Sequence, residues 1–141
     1  MSAVRSFVGL LAGRRDPTVL APPDWDGVIG VARSEAMLAT LARRLADAGL
    51  PPAVAALFAD QRAAAKVAQA QALWEAEMAR RALAPAGIEF VLLKGAAYAA
   101  ADMSCAAGRQ IGDLDILVLA HDIRRAENLL LKAGWEWVKS D

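Results

Sequence analysis

Residues 94–118 read KGAAYAAADMSCAAGRQIGDLDILV, and this stretch decides the fold and the candidate site. It follows the apolar run Ile88–Leu93, passes through an alanine-rich segment typical of a helix, and ends in two aspartates before a second apolar run. In a β-strand alternate side chains point to the same face, so Asp113 and Asp115 are predicted to lie side by side. The apolar residues between and after them point the other way, into a core.

The paired carboxylates of Asp113 and Asp115 indicate a divalent-metal site. Mg²⁺ takes oxygen ligands at about 2.0–2.1 Å, and Cα atoms two residues apart on a strand are about 6.5 Å apart, so both side chains can converge on one ion. Without a cation, like charges at short range raise one of the two pKa values. The alternative is a pair of solvated aspartates at a turn. Charges at the entrance of an apolar strand are costly without a function, which favours the metal.

Lys94 and Gly95 form a candidate phosphate site where the first strand turns into the alanine-rich helix. Glycine lets a phosphate approach the backbone closely, and the first N–H groups of a helix attract anions. Lys94 adds a positive charge, although it can also simply reach solvent from a buried strand. Arg109 either binds a phosphate or pairs with Asp113 or Asp102, and the sequence does not rank these.

These motifs resemble a known family. Leu92–Gly95 (LLKG), then Gly108-Arg109, then Asp113–Asp115 (Asp-Leu-Asp) before an apolar strand are similar to the signature of the uncharacterised bacterial nucleotidyltransferases of the DNA polymerase β superfamily. The resemblance covers roughly residues 22–139. It is specific for the combination of motifs and unspecific for any one of them.

The resemblance implies a function. It implies that Asp113 and Asp115 are catalytic residues that hold Mg²⁺, and that Lys94, Gly95 and Arg109 bind the phosphates of an NTP, with ATP as the expected nucleotide. The reaction would move an NMP group to an unknown acceptor, either a small molecule or a protein. Members of the superfamily carry a third carboxylate on a later strand, whereas this chain ends at Asp141, soon after the second predicted strand and its following helix, without an evident third carboxylate. We therefore expect an N-terminal portion holding a half-site, which leaves the enzyme assignment open.

The alternative to an enzyme is a non-catalytic binding or interaction module with a nucleotidyltransferase-like fold. In that case the fold keeps its beginning without turnover and contacts a protein partner through its helical region. A third acidic residue further along the gene would favour the enzyme.

Composition sets outer limits on the function. The chain of 141 residues carries 16 basic and 16 acidic residues, so its neutral formal charge predicts no general affinity for nucleic acids or membranes. No apolar run approaches the roughly 20 residues that span a bilayer. Cys105 is the only cysteine, which rules out an internal disulfide and indicates the cytoplasm.

We predict an α+β fold with an N-terminal helical region packed on a mixed-sheet nucleotidyltransferase core that is incomplete. Residues 1–23 are expected to form a leading segment and loop, residues 24–84 a helical region, and residues 85–141 the start of the core. The helical region is expected to mediate any homo-oligomer. Its two predicted helices run from Asp24 or Asp26 to about Ala48, and from about Pro52 to Ala84 with a break or kink near the middle.

The predicted core runs strand, turn, helix, strand, helix, strand. Ile88–Leu93 is nearly all apolar, which predicts a central strand buried on both faces. A helix is expected over Ala96–Ala106 with Gly108 as its cap, and another over Ile123–Lys132, capped by Asp122. Trp135 and Trp137 alternate with polar and smaller residues, which predicts a third strand.

Overall fold

The computed structural model describes residues 2–138 and confirms the α+β class. Within that range the chain forms α1 (Ala3–Leu11), α2 (Pro22–Ser34), α3 (Leu38–Arg44), α4 (Pro52–Leu83), β1 (Phe90–Leu92), α5 (Lys94–Ala100), β2 (Ile116–Val118) and α6 (Ile123–Lys132). Among the helices of these residues, none combines the length and the hydropathy that a membrane span requires.

Helix α4 connects the two halves of the molecule. Its 32 residues contain no glycine, and no proline after Pro52, so nothing interrupts the backbone hydrogen bonds and the expected break near its middle is absent. At 1.5 Å per residue the helix is about 48 Å long. Its buried side chains all fall on one face: Val54, Phe58, Ala65, Ala72, Ala76, Ala79 and Leu83. The first half of this face packs on α1–α3, and its last residue packs under the sheet.

The helical core lies between α1, α2, α3 and the first half of α4. Trp25 of α2 meets Phe58 of α4 edge to face, with ring centroids 6.0 Å apart. Leu10 of α1 and Leu41 of α3 are fully buried around them. Most of the largest fully buried side chains of the described residues lie in this core, whereas the buried face of α4 beyond Phe58 consists mainly of alanine.

The prediction of a single helix from Asp24 or Asp26 to Ala48 was wrong. Helix α2 begins at Pro22, and the chain breaks after Ser34, where Ala36 has a φ of +53°. The amide of Met37 donates to the carbonyl of Ala32 at 2.8 Å, which closes the end of the helix. The break reorients α3 so that its apolar side chains reach the same core as those of α2.

The sheet consists of two antiparallel strands, with Phe90 opposite Val118 and Leu92 opposite Ile116. These four side chains share one face by alternation, and Phe90, Ile116 and Val118 pack on Leu83 of α4 and on α6. The other face is open, since Val91 and Leu117 are 59% and 58% exposed. The expected mixed sheet and the burial of β1 on both faces are therefore not seen in residues 2–138.

Among the other predicted elements after residue 85, the helix over Ala96–Ala106 and the third strand differ from the structure, and helix α6 agrees with it. The helix expected over Ala96–Ala106 ends at Ala100, because Asp102 adopts a φ of +49° and Met103 donates its amide proton to Tyr98. The described residues of the third predicted strand, 135–138, are not paired into the sheet; the amide of Trp135 instead donates to Leu130 in the turn that ends α6. Residues 139–141 lie outside the described range. Helix α6 matches its predicted bounds.

The segment after α5 docks on the helical core at Gly108. This glycine has a φ of +79°, and a Cβ atom built on it would lie 2.7 Å from the carbonyl oxygen of Ala39. The hydroxyl of Thr40 donates to the carbonyl of Gly108 at 3.3 Å. Gly108 was expected to cap a helix, and it instead permits two backbones to touch.

Replacing Gly108 with alanine is expected to lower the free energy of unfolding by at least about 1 kcal/mol, since a left-handed backbone alone costs a side chain roughly 1–2 kcal/mol. The new methyl group would also collide with the backbone of Ala39. Urea unfolding followed by circular dichroism measures the change. Gly112→Ala is the matched control, because nothing lies within 4 Å of its added Cβ. Equal losses in both variants would contradict the docking contact.

Candidate functional site

The pairing of β1 with β2 brings the two predicted halves of the site together. Beyond the last paired residues, the amide of Leu93 donates to the carbonyl of Asp115 at 2.9 Å. Lys94 and Asp115 are 21 positions apart in the sequence, yet the Lys94 ammonium lies 3.1 Å from Oδ2 and 3.2 Å from Oδ1 of Asp115. The predicted phosphate-binding lysine and one predicted metal ligand therefore form an ion pair.

The backbone of Lys94 is strained. It has a φ of +51°, in the left-handed region that L-residues with side chains rarely occupy. Such conformations cost about 1–3 kcal/mol and cluster at ligand-binding sites. The strain lies at the turn from β1 into α5, where it sends the chain from an extended strand directly into a helix. Glycine would adopt this backbone conformation with less strain. The strain at Lys94 therefore accompanies a side chain whose charge pairs with Asp115.

Gly95 is buried, and its surroundings differ from the expectation. A Cβ atom on Gly95 would lie 3.2 Å from Cγ1 of Ile111 and 3.7 Å from Nε of Arg109. The missing side chain therefore lets the segment before β2 cross close to the start of α5. This contact with Ile111 was not anticipated, because it depends on how two loops distant in sequence pass each other.

Arg109 lies beside the same glycine and over an aromatic ring. Its guanidinium carbon is 5.6 Å from the centroid of the Tyr98 ring, a cation–π arrangement. Neither Asp113 nor Asp102 forms an ion pair with it. Tyr98 was missed by sequence reasoning, although its position four residues after Lys94 on α5 puts it on the same helix face.

Asp113 lies on the surface, two residues before Asp115 in a segment without regular secondary structure. Strand β2 begins only at Ile116, so both aspartates precede the strand that was expected to carry them. Within residues 2–138 no group of three or more histidine, cysteine, aspartate and glutamate side chains is placed to hold a metal. Two carboxylates still match the chemistry of Mg²⁺, which is commonly held by one or two carboxylates together with substrate phosphates and water.

A cleft adjoins this site without containing it. It has a volume of about 1120 Å³ and opens between the second half of α4 and the two-stranded sheet, with Leu73, Arg80, Val91 and Leu117 in its walls. None of the five predicted site residues lines it, but Leu92, two positions before Lys94, does. Lys94, the predicted phosphate-binding lysine at the end of β1, therefore lies beyond the edge of a mainly apolar cleft.

Comparison with known proteins identifies a family for this chain. The model of a family described as an uncharacterised nucleotidyltransferase matches residues 21–141. The match covers most of the chain, so the chain belongs to this family. No curated protein and no solved structure matches it.

Two substitutions at Lys94 separate backbone strain from charge. Both Lys94→Gly and Lys94→Ala remove the ammonium that pairs with Asp115, but only glycine accepts the φ of +51° without strain. We expect the glycine variant to be more stable than the alanine variant by about 0.5–1 kcal/mol, the left-handed penalty less the entropic cost of glycine. Urea unfolding of both variants tests this, and an alanine variant of equal or greater stability would contradict it.

Proposed function

We propose that this member of the nucleotidyltransferase family binds an NTP with Mg²⁺ beside the Lys94–Asp115 ion pair and transfers an NMP group to an acceptor hydroxyl. One observation carries the proposal. Lys94, which suits a phosphate, forms an ion pair with Asp115, which suits a metal, and Arg109 lies beside the neighbouring Gly95. Anion-binding and cation-binding groups at one place are what a metal–triphosphate complex requires.

The phosphate side of the site rests on two positive charges. Lys94 keeps a mobile, largely exposed ammonium, whereas Arg109 presents a planar guanidinium held near Gly95 by the Tyr98 ring. Arginine can bind two phosphate oxygens at once, while lysine acts as a point charge.

Asp115 and Asp113 would hold the metal. A Mg²⁺ ion held there would neutralise phosphate charge and would make an acceptor hydroxyl easier to deprotonate. Lys94 pairs with the carboxylate of Asp115, which balances its charge. With a nucleotide, we propose that Lys94 exchanges Asp115 for a phosphate oxygen, and this exchange keeps each charge paired.

The chemistry of the transfer conserves atoms and charge. The acceptor oxygen forms a bond to the α-phosphorus, the bond from that phosphorus to the bridging oxygen breaks, and pyrophosphate leaves. The hydroxyl proton is released. The residues described here contribute binding, orientation and charge neutralisation, which supply most of the catalysis in phosphoryl-transfer sites. ATP is our proposed donor, and the acceptor is a small molecule or a protein.

Isothermal titration of the chain with ATP, with Mg²⁺ and with EDTA, tests the binding step. We expect Asp113→Asn and Asp115→Asn each to weaken Mg²⁺-dependent ATP binding by about tenfold or more, equivalent to about 1.4 kcal/mol. Asp26→Asn on α2 is the control, because Asp26 is also exposed but lies in the helical region. Absence of metal-dependent binding in the wild type, or equal affinity in all variants, would overturn the proposal.

Transfer itself separates the enzyme from the non-catalytic module. ATP labelled at the α-phosphate is incubated with the chain and with mixtures of small-molecule and protein acceptors. Labelled product with release of pyrophosphate supports the transferase. Metal-dependent binding without any product supports the binding module.

A further inference from the structure

Arg109 is held both at its backbone and at its side chain. Its amide donates to the carbonyl of Ala106 at 3.0 Å, and the preceding Gly108 packs closely against the backbone of α3. Its guanidinium carbon lies 5.6 Å from the centroid of the Tyr98 ring, and its Nε lies 3.7 Å from where a Cβ atom on Gly95 would be. The arginine side chain therefore lies against α5 at both Tyr98 and Gly95.

The Tyr98 ring attracts this cation without cancelling its charge. The face of an aromatic ring is negative in its electrostatic potential, but it carries no anionic oxygen. Within residues 2–138 the side chain of Arg109 forms no ion pair and no hydrogen bond. The side chain is also exposed, whereas that of Tyr98 is half-buried. The N–H donors of the guanidinium are therefore available to a ligand from solvent.

Two arginines of α4 show the other way in which this chain holds a guanidinium. Arg80 and Arg81 both donate to the carboxylate of Glu77, with their Nε atoms 2.7 Å and 2.8 Å from its oxygens. These hydrogen bonds lower the pKa of Glu77 to about 2, so its negative charge is present to balance the arginines. A carboxylate thus fixes an arginine, occupies its donors and offsets its charge. An aromatic ring fixes the arginine and leaves both the donors and the charge.

We propose that Tyr98 is a positioning residue of the phosphate site, whose ring holds the Arg109 guanidinium beside Gly95 with its N–H donors free for a triphosphate. A long arginine side chain loses rotamer freedom when it binds a ligand. A ring that confines the side chain beforehand removes part of this cost, so the ligand binds more tightly. The inference rests on the proposed function, because Tyr98 contributes to NTP binding only through Arg109.

Isothermal titration with ATP and with inorganic triphosphate, both with Mg²⁺, tests the role of the ring. Tyr98→Leu keeps a large apolar helix former, and it should weaken the binding of both ligands by about threefold to fivefold. Tyr98→Phe keeps the ring, so it should recover the affinity lost in the leucine variant. A loss for ATP alone would indicate stacking on the base and overturn the proposal, and so would a phenylalanine variant as weak as leucine. Tyr98→Met replaces leucine if that variant does not fold.

A double-mutant cycle tests whether Tyr98 acts through Arg109. Arg109→Ala should weaken triphosphate binding by about tenfold or more. Tyr98→Leu added to it should cause no further loss, because the ring then has no guanidinium to hold. The same loss from Tyr98→Leu in both backgrounds would indicate a general disturbance of α5 and contradict the proposal. Arg33→Ala is the matched control for charge, since Arg33 is exposed on α2, and a loss equal to that of Arg109→Ala would also contradict it.

A measurement without nucleotide tests the contact itself. The ring current of Tyr98 should displace the side-chain NMR signals of Arg109 upfield, and Tyr98→Leu should remove this displacement. Signals that are the same in both proteins would overturn the contact. A wild-type chain that binds neither ATP nor triphosphate would overturn the proposed function and the role of Tyr98 with it. Wild-type binding that is equally strong in Tyr98→Leu would overturn the role of Tyr98 alone.

Discussion

The antiparallel pairing of β1 with β2 is the constraint on which the rest of the site depends. Each strand has only three residues, so a few backbone hydrogen bonds fix the register, and a shift by one residue would turn Asp115 to the opposite face. A sheet of only two strands is marginally stable in water by itself. Its stability comes from the inner face, where Phe90, Ile116 and Val118 pack on Leu83 and α6. The position of Asp115 therefore depends on the end of α4.

The candidate site was predictable from sequence to the extent that it is local. A glycine turn after an apolar run and two aspartates before another run mark its two halves, and the structure brings Lys94 and Asp115 into contact. The order of helices and strands in residues 85–134 also follows from periodicity and capping signals. Helix α6 matches its predicted bounds because its apolar face and its end before Gly134 agree with the sequence, although the side chain of Asp122 makes no capping hydrogen bond.

What could not be predicted depends on tertiary contacts. Ala36 and Asp102 adopt positive φ values although neither is glycine, so no local signal marks the breaks they create. The sequence predicted burial of β1 on both faces, and the structure buries only one. An apolar run does not show how many elements cover a strand. Ile111 crosses over Gly95, and the guanidinium of Arg109 lies over the ring of Tyr98. Both contacts depend on loop paths that residue types alone do not determine.

The contact of Gly108 with Ala39 joins the segment that carries Arg109 to the helical core. Arg109 follows immediately after this backbone-to-backbone contact, so its place is set by α3 as well as by the sheet. Movement of α3 within the bundle would shift the arginine relative to Lys94. If these two side chains bind phosphate as proposed, a molecule that binds the bundle and favours one position of α3 would change the affinity for phosphate, and phosphate would change the affinity for that molecule by the same factor.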